Sequence, residues 1–234
     1  MFNWLTATVF AVLGLIVGFL SLKIAKKQIA VRVEKIPELG EKFNPSLLER
    51  KWIPYFWVIC FIVLYIVSLL TCNNLISLIY TVIFIFCSFN IAAVDLAIRR
   101  IPNELLLILL LISIIRDIVE PIVTKNTSDI KYNLIYALIG IVGGFVLYII
   151  PSLFGIYIGS GDIKLSAVIG FSLGIIGYIQ AMFIMAFIMF VYLVILLITK
   201  KGGLKTKAPM GPSLAVGAVF TLLFPFLQGH INLW

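Results

Sequence analysis

IKLSAVIGFSLGIIGYIQAMFIMAFIMFVYLVILLI, residues 163–198, carries one charged side chain, Lys164. As a single helix it would be about 54 Å long at 1.5 Å per residue, against a hydrocarbon core of about 30 Å. A helix of that length fits a bilayer only by steep tilt. The stretch is therefore expected to cross a membrane twice and to divide near Gly177, with Gly174, Gly177 and Gln180 supplying the break.

The rest of the chain agrees on the solvent. Of 234 residues, 62% are hydrophobic and 12% charged, where a soluble domain carries about 25% charge. Lipid offers no partner for free backbone groups, so apolar runs of about 20 residues are expected to be helical. Eight spans are predicted, in an all-α polytopic membrane protein: Trp4–Leu22, Pro54–Leu70, Leu75–Val94, Glu104–Val119, Asn133–Ile150, Ile163–Gly177, Tyr178–Ile198 and Gly211–Leu227. The first is read as a helix rather than a cleaved signal, because no basic segment precedes it and no small-x-small site closes it. No repeat divides the chain, so residues 1–234 are read as one membrane domain, with 23–53 as a loop holding a short amphipathic helix near Pro45–Lys51.

Lys and Arg resist translocation and collect in cytoplasmic loops. Eight lie between Lys23 and Lys51, and placing that loop inside puts Arg99, Arg100, Lys164, Lys200, Lys201, Lys205 and Lys207 inside too. Arg116, Lys125 and Lys131 are then outside, as are both termini. The net charge of +8 is accounted for by this asymmetry and by anionic headgroups, without nucleic acid. Cys60, Cys72 and Cys87 form no C-x-x-C pair and are read as packing thiols, with no metal site.

The acids narrow the function. Glu34, Glu38, Glu41 and Glu49 fall in the first loop, and Asp117, Glu120 and Asp129 in an outer loop around 117–132. Asp95, Glu104 and Asp162 remain, all at the cytoplasmic ends of spans, and an acid near membrane depth is a functional candidate. Glu104 follows Pro102 and suits the positive end of a helix dipole, a structural role. In NIAAVDLAIRRIPNELL, Asp95 ends the third span, with Arg99 one turn on and Pro102 stopping the helix. In IGSGDIKL, Gly159 and Gly161 are expected to open backbone conformations closed to other residues, and Asp162 to cap the next helix. Two nearby carboxyl groups do not both ionise easily, so one keeps a proton while the other takes one from water. That is the chemistry of an aspartyl protease, and it requires no metal or cofactor.

These segments carry a resemblance. D-x3-R-R-I-P-N at Asp95–Asn103, G-S-G-D-I-K-L at Gly159–Leu165 and P-M-G-P-S-L-A at Pro209–Ala215 are similar to the three signatures of type IV prepilin peptidases, the G-x-G-D membrane aspartyl proteases. The likeness runs over residues 90–220, with a looser echo at Gly14–Lys27. It implies that Asp95 and Asp162 are the catalytic pair. It also implies prepilin-like substrates, whose basic leader is cut on the cytoplasmic side of the cell membrane just before an apolar segment that stays in the lipid. Many bacterial members hold zinc with two C-x-x-C pairs in the first loop; this loop has no cysteine, so zinc is not expected. Many also methylate the new N-terminus from S-adenosylmethionine, a role of the N-terminal region where this match is poorest; that activity, and its cofactor, stay open.

Around the pair, Asp162 is expected to be the base, at a helix N-terminus with Lys164 near, and Asp95 the acid, at a helix C-terminus. Arg99 opposes that order if it turns inward and otherwise meets lipid phosphate; Lys164 has an equal reading as an interfacial anchor. Pro102, Asn103, Gly211 and Pro212 are expected to shape turns, and His230, near the outer terminus, to have no catalytic part. Two rivals use the same acids: a small proton-coupled transporter, and a presenilin-like protease that cuts within a span. The arginine–proline motif after Asp95 points away from both.

Overall fold

A computed structural model of the chain describes residues 4–127, 129–155, 158–200 and 210–227. Its regular elements are all helical: α1 (Trp4–Lys35), α2 (Glu38–Lys42), a 3-10 turn at Pro45–Glu49, α3 (Ile53–Thr71), α4 (Leu75–Ile98), α5 (Asn103–Val123), α6 (Asp129–Leu153), α7 (Ser160–Ile198) and α8 (Met210–Leu223). Among the described residues five helices, α1, α3, α4, α6 and α7, are long and apolar enough to cross a bilayer. The protein is a multi-pass membrane protein, and its outward faces fit that solvent: Phe183, Phe187 and Phe190 stand exposed along one side of α7.

Local chemistry sets the helix ends. Asn74 caps α4 by accepting a hydrogen bond from the Ser77 amide at 2.7 Å. Arg99 closes α4 in the left-handed region, at φ 50°, and Pro102 precedes α5, as a residue that cannot extend a helix behind it should. Three sequence expectations about loops are corrected. Residues 23–35, assigned to a loop, continue α1, because Leu22, Ala25 and Ile29 stay buried at helical spacing after the chain turns basic; Lys and Gln are good helix formers. The amphipathic helix expected near Pro45–Lys51 is a 3-10 turn ending at Glu49. At the other end of the bundle, Asp117 and Glu120 are not loop residues but lie in α5. Asp117 is buried and paired with Arg116, whose guanidinium sits 4.5 Å from the Tyr80 ring centroid.

The 163–198 run breaks at Gly174 rather than Gly177. Gly174 has φ 66° and ψ 172°, a conformation essentially confined to glycine, whereas Gly177 and Gln180 are buried within the helix beyond it. The break reverses the chain. Ser166 and Tyr178 share a hydrogen bond at 2.5 Å although twelve residues apart, a separation of about 18 Å along a straight helix. Gln180 instead ties down the end of α8, donating to the Phe224 carbonyl and accepting from the Leu227 amide.

Small residues allow the closest packing. A Cβ on Gly140 would lie 2.0 Å from the Gly170 carbonyl oxygen, and one on Gly144 would lie 2.5 Å from that of Ser166. Position numbers fall on α7 as they rise on α6, so α6 and the first limb of α7 run antiparallel at backbone contact. Gly217 places α8 against the second limb in the same way, beneath the Ala181 carbonyl. This core holds the N-termini of α7 and α8 beside the C-terminus of α4.

Candidate functional site

Asp95 lies in the last turn of α4 and is 6% exposed. Beyond it the left-handed Arg99 turns the chain through Arg100 and Ile101 to Pro102 and α5. Ile101, which the sequence reading passed over, is the hub. A Cβ on Gly161 would lie 3.3 Å from Ile101 Cβ, and one on Gly211 would lie 3.5 Å from Ile101 Cδ1. The same Cβ on Gly211 would approach Asp95 Oδ2 to 2.7 Å. Three stretches far apart in sequence thus meet at one end of the bundle.

Asp162 stands in the first turn of α7, half-buried. It is not the helix cap: Gly159 holds that position, and its carbonyl accepts from the Asp162 amide at 3.0 Å. Nor is Gly159 needed for an unusual conformation, since its φ of −62° and ψ of 135° are open to any residue. Its value is space, because a Cβ there would lie 3.0 Å from Asp162 Oδ2. Gly161 and Gly211 serve alike, as clearance for Ile101 and for Asp95.

Asp95 feels the charges of both Asp162 and Arg99. Among the described residues neither carboxylate has a hydrogen-bond or ion-pair partner. That leaves their oxygens free for water or another ligand. Arg99 stacks its guanidinium 5.8 Å from the Phe43 ring centroid, a cation–π contact. Lys164 donates from Nζ to Asn103 Oδ1 at 3.4 Å, and so bridges the starts of α7 and α5. Pro102 is buried beside the turn. Gly211 and Pro212 are not turn residues but belong to the first turn of α8, where proline is tolerated.

One further neighbour carried no sequence signal. Tyr148, in a plain apolar run of α6, is buried within reach of the Asp162 charge and donates its hydroxyl to Met185 Sδ at 3.2 Å. Glu104, besides suiting a helix start, accepts from Arg32 at 2.7 Å, so α1's extension reaches the start of α5. His230 lies outside the described residues. No group of three His, Cys, Asp or Glu side chains with metal-binding geometry occurs among them, and residues 23–53 supply no thiolate for a cysteine-held zinc.

A helical membrane protein with two carboxylates brought together at one end is the class defined so far. Comparison with known proteins gives the family: residues 82–198, which contain both aspartates, match the type IV leader peptidase family, to which this chain belongs. The prepilin leader peptidase/N-methyltransferase of Bacillus subtilis (strain 168) is 29% identical over 144 residues, 61% of this chain and 54% of that protein. The match therefore spans about half the length of that relative. No solved structure matches.

Proposed function

We propose that this protein is an aspartyl endopeptidase that removes the leader of prepilin-like proteins at the cytoplasmic face of the membrane, with Asp95 and Asp162 as its catalytic pair. The observation that carries the reading is the meeting of Asp95, Asp162, Ile101 and Gly211 from three separate parts of the chain. The less buried Asp162, at a helix N-terminus that favours negative charge, takes a proton from the attacking water. Asp95, buried at a helix C-terminus, holds a proton and donates a hydrogen bond to the scissile carbonyl. Hydroxide adds to the carbonyl carbon, and the tetrahedral intermediate collapses as a proton passes to the leaving nitrogen. The steps use two carboxylates and water, and draw on no cofactor; the reading concerns the peptidase step alone.

The topology proposed with it has eight crossings, α7 contributing two through its reversal at Gly174 and α5 and α8 one each, with both termini on the outer face. The basic residues support the orientation, since Arg32, Arg99, Arg100 and Lys164 all lie at the aspartate end. Such an end is at headgroup depth, where water meets the first residues of a substrate's apolar segment. The partners are prepilin-like substrates and lipid. Purified protein in detergent or liposomes should cut a prepilin-like substrate, and Asp95→Asn and Asp162→Asn should each lose about 10²–10⁴-fold in rate, as removal of an acid–base group does. Near-normal cleavage by either variant would reject the pair.

A further inference from the structure

α3 and α8 barely touch, and between them lies an apolar trough floored by α4. Phe89 and Ala92 form the floor, Cys60 and Val63 one wall, and Ala215 and Val216 the other. Its volume is about 610 Å³. An apolar recess in a membrane protein has no hydrophobic reason to be filled by protein rather than lipid. The place where this one begins is what singles it out. Its foot is Leu96 and Pro212, the chain neighbours of Asp95 and of Gly211, whose backbone lies against the Asp95 carboxylate.

We propose that the trough seats the apolar segment that follows the cleavage point of the substrate, a proposal that rests on the peptidase reading above. A chain leaving the carboxylates toward the membrane interior enters the trough directly. From Pro212 to Leu223 the trough follows α8 for twelve residues, about 17 Å of helix. Val63 and Val216, on opposite walls, are each about half exposed, so the trough is open along its length; it takes one face of a guest helix and leaves the other to lipid. The small side chains of Ala92 and Ala215 let that face approach closely, as in other helix pairs in membranes.

The native Cys60 thiol makes the proposal testable. Membranes containing the Asp162→Asn variant are mixed with a prepilin-like substrate bearing a basic leader, an apolar segment of about 20 residues and single cysteines at successive positions, then treated with a short thiol cross-linker. Cross-links are expected at every third or fourth position within the first half of the segment, and should vanish with Cys60→Ser. Absent cross-links, or a yield without helical period, would overturn the seat whether or not the wild type cuts the substrate. Cleavage supplies the second arm. Val63→Trp and Val216→Trp, both about half exposed before substitution, fill the trough and should each lower kcat/KM about tenfold through KM. Val142→Trp, on the exposed face of α6, should not. Full activity in both trough variants would mean that lipid, not substrate, occupies the space, whereas failure of the wild type to cut any such substrate would refute the peptidase reading itself.

Discussion

Gly211→Ala separates the site from the scaffold better than any other single change. The added methyl would lie 2.7 Å from Asp95 Oδ2 and 3.1 Å from Asp95 Cγ, against an ordinary contact that begins at 3.4 Å. The carboxylate must therefore retreat by about 0.7 Å, the difference between 3.4 and 2.7 Å. It is the free end of a side chain, so the retreat costs the fold little. Alanine in a helix is also favoured over glycine by about 1 kcal/mol, though less in a first turn. Stability in detergent should be unchanged or slightly raised. Activity should not be, because a reacting group misplaced by about 1 Å loses about 10²-fold in rate. The assay is cleavage of a prepilin-like substrate followed on gels, beside thermal unfolding of the same preparation. Gly217→Ala in the same helix is the control: its methyl would lie 2.6 Å from the Ala181 backbone oxygen, which has no free end to move. That variant should unfold earlier. Wild-type cleavage by a folded Gly211→Ala protein would refute the placement of Asp95, and loss of activity only in step with unfolding would refute the claim that Gly211 acts through space at the carboxylate.

Three other substitutions probe the frame. Gly174→Ala should destabilise by about 1–3 kcal/mol, read as a lower midpoint of thermal unfolding, because its φ of 66° disfavours any side chain. Arg116→Ala should cost about 3–5 kcal/mol by stranding the buried Asp117 carboxylate, and the double variant with Asp117→Ala should recover much of the loss. Arg32→Ala, which breaks an ion pair whose Glu104 side chain is largely exposed, should cost under about 1 kcal/mol, and adding salt should shrink even that difference.

Much of the frame could be read from residue order alone. Hydrophobic runs set the helices and the solvent, since a backbone in lipid must bond to itself locally. The reversal inside 163–198 followed from length, because a bilayer is thinner than so long a helix. Motif residues Asp95, Gly159, Gly161, Asp162 and Gly211 stood out as polar or flexible breaks in apolar surroundings. What these residues do locally was read less well. Gly159 was expected to free the backbone and instead clears room for Asp162; Asp162 was expected to cap and instead follows the cap. Lys164 turned to Asn103, and the helix α1 ran on through residues expected to be loop.

The division has one physical cause. Span, break and charge bias depend on neighbours along the chain, and these the order of residues specifies by itself. Clearance depends on which atoms arrive from elsewhere: Ile101 and Tyr148 look like ordinary apolar positions, and Gly217 looks like Gly211, until α4, α6, α7 and α8 are packed together. Only that packing placed one glycine against a carboxylate and the other against a backbone carbonyl, and left an open trough between α3 and α8 that begins beside Asp95.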